Sequence, residues 1–396
     1  MIEKNDTKYI ISKIISPFLR FVDLEISGGI ILLASSIVAI FAANSGLRDY
    51  YNEIINFKIM LPGFGKLILF WINDGLMALF FFLVSLEIKR EMLYGELKSI
   101  KKPALPLAAA IGGMIIPMLI YLAFNAGGKG SHGWGIPMAT DIAFSLSILS
   151  LLGKRVPVML KIFLTALAII DDIGAIIVIA FFYTSDLSVI SLLVSWVLAG
   201  VLYLMNKSGY KKAYIYIITG IFLWVAILNS GIHPTVAGVI LAFAIPADRN
   251  EDKSLLHKME DKLHPYVTYF IMPLFAFANS GVIIGAAYFT HLFNPISLGI
   301  ILGLVLGKQI GIILFSYLAV KLKFAELPHG INWRQIYGIG WLGGIGFTMS
   351  LFIGGLAFES SGLLLNEARI GIFTASLIAG IFGYLMLRVF GGKKNI

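Results

Sequence analysis

The stretch ALAIIDDIGAIIVIA, residues 166–180, places two adjacent acids, Asp171 and Asp172, in an apolar helical segment that contains no basic residue. An ionised side chain at the centre of a membrane helix costs roughly 2.5 to 3.5 kcal/mol on insertion. Two such acids therefore need either a partner elsewhere in the chain or a function that uses their charge.

The composition of the whole chain predicts that this segment lies in a membrane. Of the 396 residues, 58% are hydrophobic and 13% are charged, whereas soluble domains carry about 25% charged residues. Apolar runs of about 20 residues, the length that crosses a bilayer as a helix, recur along the sequence. We therefore predict an all-α polytopic membrane protein with a single transmembrane domain over residues 1–396. The absence of cysteine excludes disulfides and cysteine-bound metals, and we expect neither a cofactor nor enzymatic activity.

Short polar turns divide the chain into about twelve predicted transmembrane spans, numbered one to twelve. The spans lie near residues 24–43, 68–90, 104–124, 134–151, 157–183, 187–205, 213–229, 232–246, 264–285, 297–320, 335–358 and 365–388. Because the fourth and eighth runs are short and interrupted, ten or eleven spans is the alternative.

The distribution of basic residues predicts the orientation of the chain. With twelve spans, nearly all Lys and Arg outside the spans fall on one side of the membrane, and the other side receives only Arg48, Lys58, Lys66, Lys129 and Arg369. Cytoplasmic loops carry the excess of Lys and Arg, so both termini are predicted to be cytoplasmic. The same asymmetry explains the formal net charge of +9 without a nucleic-acid partner.

Three segments are predicted to lie outside the bilayer. Residues 1–20 combine charges with isoleucines at helical spacing, which is typical of an amphipathic helix on the cytoplasmic membrane surface. Residues 44–66 form a periplasmic loop long enough for a short hairpin or a surface helix. Residues 247–263 form a cytoplasmic loop of mixed charge.

Four ionisable residues fall deep within the predicted spans, namely Asp141, Asp171, Asp172 and Lys308. Lys308 can neutralise one aspartate as a structural ion pair, but two negative charges then remain. Adjacent residues on an α-helix point about 100° apart, so we expect one of Asp171 and Asp172 to meet Lys308 and the other to face a water-filled cavity. Protons or a hard monovalent cation such as Na+ or Li+ must balance the remaining charge.

A charge count gives the stoichiometry that such a site supports. If Asp171 stays paired with Lys308, Asp141 and Asp172 can accept two protons or share one monovalent cation. Exchange of one for the other would move one net charge, worth about 2.3 kcal/mol per 100 mV of membrane potential.

Two spans contain helix-breaking residues at membrane depth. The fourth includes SHGWGIPMATDIAF, residues 131–144, and the eleventh includes GIGWLGGIGFTMSLF, residues 338–352. Glycine and proline disfavour a helix interior, although glycines that merely permit close helix packing are the alternative. These spans are the middle members of spans 3–5 and 10–12, and loop parity together with the echo of GWGIPMAT in GWLGGIGFT predicts inverted-topology repeats. We expect the two broken helices to line a transport site at mid-membrane.

Long segments of the chain resemble the bacterial NhaA-type Na+/H+ antiporters, which are themselves among the known examples of the inverted-repeat architecture. The matching segments are DGLMALFFFLVSLEIKREML, GWGIPMATDIAFSL, LTALAIIDDIGAIIVIAFFYT, SGIHPTVAGVILAF, LHPYVTYFIMPLFAFANSGV, LGLVLGKQIGI and GIGFTMSLFIGGLAF. The resemblance covers nearly the whole chain. It implies pH-regulated, electrogenic expulsion of Na+ or Li+ in exchange for about two H+ across the bacterial inner membrane. It also implies a homodimer, with residues 44–66 as the expected contact.

The resemblance assigns roles to the buried ionisable residues. It implies that Asp172 is the principal cation ligand, that Asp171 pairs with Lys308, and that Asp141 and Thr140 lie where the broken helices cross. Na+ would then bind at Asp172 and Asp141. For Thr140, a helix-capping hydroxyl is an equal alternative to direct ion contact.

The resemblance further implies that the cytoplasmic ends of spans two and nine shut transport down at acidic pH. The candidates there are Glu87, Arg90, Glu91, Glu260 and His264, and His233 is a further candidate on the outer side. For Lys89 and Glu91 the alternative is that they are ordinary solvated charges at the cytoplasmic end of a span, where basic residues accumulate. The family often has a histidine where this chain has Asp261, so its pH threshold is expected to differ. For Asp74, near the outer end of span two, a role in helix capping or in lining a funnel is an equal alternative to a part in the chemistry.

Three other functions compete with antiport. A cation-coupled solute symporter also uses broken helices, but it would need an organic-substrate pocket. An intramembrane aspartyl protease needs two converging acids, and adjacent aspartates diverge. A cation channel is usually built from symmetric rings of short subunits, whereas this site is a single asymmetric one in a long chain.

Overall fold

The computed structural model describes residues 24–61, 64–95, 104–184, 187–248, 254–328 and 330–390. In these residues the chain is almost entirely helical, and its only sheet is an antiparallel hairpin of two strands. The predicted amphipathic helix in residues 1–20 lies outside the described residues, as do residues 249–253 of the predicted cytoplasmic loop.

The secondary structure elements follow one another in chain order. The first half contains α1 (Leu24–Ala43), α2 (Arg48–Asn56), β1 (Lys58–Leu61), β2 (Phe64–Leu67), α3 (Ile68–Leu93), α4 (Ala104–Asn125), a 3₁₀ segment (Ser131–Met138), α5 (Ile142–Leu151), α6 (Val158–Phe182) and α7 (Val189–Lys207). The second half contains α8 (Ala213–Leu228), α9 (Val236–Ala244), α10 (Leu255–Tyr266, continued by Val267–Ile271 and Met272–Asn279), α11 (Ala286–His291), α12 (Pro295–Lys321), α13 (Trp333–Gly343), α14 (Phe347–Ala357) and α15 (Gly362–Phe390).

The helices confirm the prediction of an all-α polytopic membrane protein. Among the described residues, eight segments are long and apolar enough to cross a membrane, and α13 with α14 makes a ninth that is bent by 44°. The predicted spans seven, eight and nine are present as α8, α9 and α10. Of these, α8 has 16 residues and α9 has nine, which is shorter than the roughly 20 residues of an uninterrupted crossing. The predicted outer loop, residues 44–66, holds both a surface helix, α2, and the β1–β2 hairpin.

The fourth predicted span is broken as expected. Its first part is the 3₁₀ segment, its middle is extended from Ala139 to Asp141, and α5 begins at Ile142. Pro137 lies in the 3₁₀ segment and has no N–H to donate, which disfavours a continuous α-helix there. The Asp141 side chain accepts a hydrogen bond from the Phe144 N–H and so caps the new helix.

The eleventh predicted span is broken between α13 and α14. The intervening residues include Gly344, where a side chain would collide with the backbone oxygen of Leu304 on α12. Only glycine therefore allows this close approach, and the helix restarts after it in a different direction.

The two breaks contact each other directly. The Asp141 N–H donates to the Ile345 carbonyl at 2.7 Å. Ser145 Oγ donates to the Leu342 carbonyl at 2.9 Å, and Ser350 Oγ donates to the Ile136 carbonyl at 2.8 Å. Each broken helix thus donates hydrogen bonds to backbone carbonyls at or near the break in the other.

Two further helices pack backbone against backbone beside this crossing. A side chain at Gly112 on α4 would collide with the Gly311 carbonyl on α12, and a side chain at Gly311 would collide with the Gly112 carbonyl. Small residues allow such close packing in membranes. The neighbouring Gly113 leaves room for the aliphatic stem of Lys308, which extends toward α6.

Candidate functional site

A fully buried ion pair joins α12 to α6. Lys308 Nζ donates to Asp171 Oδ2 at 2.5 Å, and both side chains have no exposed surface. Thr140 Oγ1 lies 2.7 Å from the same carboxylate oxygen and 2.8 Å from the Gly343 carbonyl. A hydroxyl has one proton, so Thr140 donates to only one of these acceptors at a time. Asp171 Oδ1 has no hydrogen-bond partner among the described residues.

Asp141 lies at the crossing of the two breaks and is held by three donors. Its Oδ1 accepts from the Phe144 N–H at 2.9 Å. Its Oδ2 accepts from the Thr348 N–H at 3.1 Å and from Thr348 Oγ1 at 2.5 Å. Because Phe144 lies in the first turn of α5 and Thr348 in the first turn of α14, the positive ends of two helix dipoles meet at one carboxylate.

Asp172 follows Asp171 on α6, so its side chain points about 100° away from the ion pair. Its side chain is only 3% exposed, and it makes no hydrogen bond to any residue that the structure describes. It lines a cavity of about 40 Å³ that also touches Thr140, Asp141 and Thr348, which is room for a few water molecules. The structure therefore brings Asp172 and Asp141 to one cavity, whereas Asp171 is turned toward Lys308.

The cavity is acidic along its length. In the described part of the chain its ionisable lining consists of Glu25, Glu87, Asp141 and Asp172, without a basic side chain. No group of three or more acidic or histidine side chains there is close enough to hold a metal ion. A bound Na+ would therefore have to complete its oxygen shell from hydroxyls, carbonyls or water. Thr140 and Thr348 offer such hydroxyls.

Glu25 and Glu87 on the cavity wall belong to a second group of charged residues, which we call the mouth cluster: Glu25, Glu87, Arg90, Glu260 and His264. His264 Nε2 lies 3.4 Å from Glu25 Oε1 and 3.7 Å from Glu87 Oε1. Arg90 binds Glu260 at 2.7 Å and Glu91 at 3.1 Å. Burial raises the pKa of the Glu260 carboxyl, and the nearby Arg90 guanidinium opposes this rise. The structure thus gathers five of the six predicted pH-sensing residues (Glu87, Arg90, Glu91, Glu260 and His264) into one group, which reaches the cavity wall at Glu87.

The sixth candidate, His233, lies elsewhere. Its Nε2 is 3.6 Å from Asp74 Oδ1, and its Nδ1 is 2.7 Å from Thr235 Oγ1. Asp74 precedes Glu87 by 13 residues on α3, so His233 is about 20 Å along the helix from the mouth cluster. Lys89 is also outside the cluster, because its Nζ donates to the Phe243 and Ile245 carbonyls at the end of α9.

Two residues of this site were not singled out from the sequence. Glu25 begins the first span, where an acid is indistinguishable from a solvated flank. Thr348 is 207 positions away from Asp141, and the only signal for it was its place in the GWLGGIGFT echo, where it aligns with Thr140.

Known proteins have sequences similar to this one over almost all of its length. A family model described as Na+/H+ antiporter 1 matches residues 19–387. Three relatives named Na(+)/H(+) antiporter NhaA are similar: one from Oleidesulfovibrio alaskensis is 46% identical and covers 96% of this chain and 95% of its own. One from Rhodospirillum rubrum is 49% identical over 93% of this chain and 96% of its own. One from Shewanella frigidimarina is 51% identical over 93% of this chain and 95% of its own. This chain, with its crossed broken helices and buried aspartates, belongs to the Na+/H+ antiporter 1 family.

Proposed function

We propose that this protein is an electrogenic, pH-regulated antiporter that expels Na+ or Li+ in exchange for about two H+. Its family membership supports Na+/H+ exchange. The protein works in the bacterial inner membrane with both termini in the cytoplasm, surrounded by lipid.

The proposal rests on the surroundings of Asp172. It is buried, makes no hydrogen bond to a described residue, and shares a small cavity with Asp141. Lys308 is already bound to Asp171, so it does not neutralise Asp172. A buried carboxylate needs a proton or a cation to balance its charge. Protons and Na+ therefore compete for the same oxygens, and this competition is sufficient for exchange by alternating access.

The stoichiometry follows from the number of carboxylates that are free of Lys308. Asp141 and Asp172 together accept two protons on one side of the membrane and one cation on the other. Each cycle then moves one net positive charge inward, and a potential of 100 mV contributes about 2.3 kcal/mol.

The size of the cavity argues against a solute symporter. Pockets for organic ligands enclose about 300 to 1,000 Å³, whereas this cavity measures about 40 Å³. It has room for a small ion with a few water molecules and excludes an organic substrate of ordinary size.

Everted membrane vesicles that hold a proton gradient provide the test. We expect Na+ or Li+ to dissipate the gradient, because each ion that enters expels protons. K+ at the same concentration should leave the gradient intact, and vesicles without the protein give the baseline. Dissipation by K+ or by a carboxylic acid would contradict the assignment of the substrate.

A second measurement tests the electrogenic exchange. In proteoliposomes with equal Na+ and equal pH on both sides, an imposed membrane potential should drive net Na+ movement. A potential that moves no Na+ would show electroneutral exchange and would overturn the two-proton count.

We also propose that the protein forms a homodimer through residues 44–66. The described part of this segment exposes large apolar side chains, among them Tyr50, Ile54, Phe57 and Met60. Because the chain has no cysteine, a Met60→Cys variant carries a single thiol. Oxidative cross-linking to a species of twice the mass is expected, and Leu193→Cys on the exposed surface of α7 is the matched control.

A further inference from the structure

Glu25 is the least expected member of the mouth cluster. It lies in the first turn of α1, and its side chain is 11% exposed. Gly29 packs so closely against Ser147 and Ala143 on α5 that a side chain there would collide with both, which holds this part of α1 against the broken fourth span. The preceding residue, Gly28, packs against Thr268 of α10 so closely that a side chain there would collide with it. These contacts fix the start of α1 between α5 and α10.

Of the two carboxylates that the structure shows in ion-pair contact with His264, that of Glu25 is the nearer. Its Oε1 is 3.4 Å from His264 Nε2, compared with 3.7 Å for Glu87 Oε1. The other imidazole nitrogen, Nδ1, is 3.3 Å from Thr268 Oγ1, one turn further along the same helix. His264 thus links α1, α3 and its own helix at the end of the cavity.

The charged groups that face His264 can be assigned to their elements. Glu25 faces it from α1, Glu87 and Arg90 from α3, and Glu260 from its own helix. Arg90 is bound to Glu260 and Glu91. In the described part of the chain, protonated His264 is therefore the cation in ion-pair contact with Glu25 and Glu87. When His264 loses its proton, two buried carboxylates on the cavity wall lose that counter-charge.

We propose that Glu25 is a positioning residue for pH control, which through His264 sets the pH at which the cavity admits Na+. This proposal rests on the proposed antiport. At acidic pH the imidazolium binds Glu25 and Glu87 and places a positive charge where Na+ must pass. At alkaline pH the neutral imidazole releases both carboxylates, which then attract Na+ toward Asp172.

The test follows the pH dependence of Na+-induced dissipation in everted vesicles, from about pH 6 to 9, the range around histidine titration. In Glu25→Gln the imidazolium loses its nearest carboxylate, so His264 releases its proton at lower pH. We expect the half-activation pH to move by about one unit to the acid side. Asp248→Asn is the matched control, because Asp248 is exposed and paired with Lys211; its profile should match the wild type.

A double variant separates action through His264 from a structural role of Glu25. In a His264→Gln background, Glu25→Gln should cause no further shift of the profile. An equal shift in both backgrounds, or a Glu25→Gln profile that superimposes on the wild type, overturns the proposal. Glu25→Asp keeps the charge but shortens the side chain, so a shift smaller than that of Glu25→Gln supports the proposal, even where Glu25→Gln lowers the yield of folded protein.

The same experiment distinguishes this proposal from the antiport on which it rests. Wild-type vesicles that ignore Na+ at every pH would overturn both. Wild-type vesicles that respond to Na+, together with an unshifted Glu25→Gln profile, would overturn only the role of Glu25.

Discussion

The crossing of the broken helices and the mouth cluster hold their charges in different ways. At the crossing, Lys308 binds Asp171 at 2.5 Å with both side chains fully buried, and three donors at 2.5 to 3.1 Å hold Asp141. At the mouth, His264 is 3.4 and 3.7 Å from its two carboxylates. Short contacts between buried groups fix a geometry, whereas histidine is a side chain that can gain or lose its proton in response to its surroundings. The comparison teaches that one cavity connects a fixed site, where short contacts hold the side chains in place, to carboxylates that face a titratable histidine.

The largest effect is expected for Asp172→Asn, which tests whether the fixed site needs a free carboxylate. The amide has almost the same size but does not ionise, so we expect Na+-induced dissipation to fall to the baseline of empty vesicles. Asp172 has no hydrogen-bond partner in the described part of the chain, so the melting temperature should not decrease. Residual transport in this variant would contradict the role of Asp172.

Lys308→Ala tests how strongly the crossing depends on its ion pair. Removal of one partner leaves Asp171 as an uncompensated buried charge, and we expect a loss of about 3 to 5 kcal/mol in the free energy of unfolding. Asp171→Asn in the same background should restore much of the loss, because it removes the buried charge. Thermal melting of the purified protein in detergent measures both. Wild-type melting of Lys308→Ala would show that the pair is dispensable.

Thr348→Val removes one of the three donors to Asp141 and keeps the backbone donor. The loss of a hydrogen bond to a charged group should cost about 1.5 to 3 kcal/mol, which is less than the loss of Lys308. Thr290→Val provides a comparison at a threonine that does not line the cavity. An unchanged melting temperature for Thr348→Val would mean that the crossing is less rigid than its distances indicate.

The smallest effect is expected for His233→Gln, which defines the limit of the mouth cluster. His233 pairs with Asp74 about 20 Å along α3 from Glu87, and its charge is too distant to act on the cavity mouth. The pH profile of transport should therefore match the wild type. A shift as large as that of Glu25→Gln would show that pH control reaches both ends of α3.

Sequence reasoning predicted the parts of this site that follow from composition and local spacing. Charge counting predicted that Lys308 pairs with only one aspartate. Because adjacent helical residues point in different directions, the neighbouring aspartate was predicted to face a cavity. Glycine residues at membrane depth, together with Pro137 in span four, predicted the helix breaks in spans four and eleven. The shared contacts could not be predicted in this way, since Thr348 reaches Asp141 only through the crossing. Glu25 was missed because an acid that begins a span has the same pattern whether it faces water or a buried histidine. The nine residues of α9 also show that an apolar run does not give the length of its helix.

The backbone contact between α4 and α12 has a mechanical consequence. Because a side chain at either Gly112 or Gly311 would collide with the facing backbone, we expect these helices to move as one unit, together with the crossing that Lys308 anchors. On its other side, the cavity is walled by α1, α3 and α10. Under the proposed antiport, we expect the protein to rock at the seam between these two halves, turning the same carboxylates first toward one aqueous compartment and then toward the other.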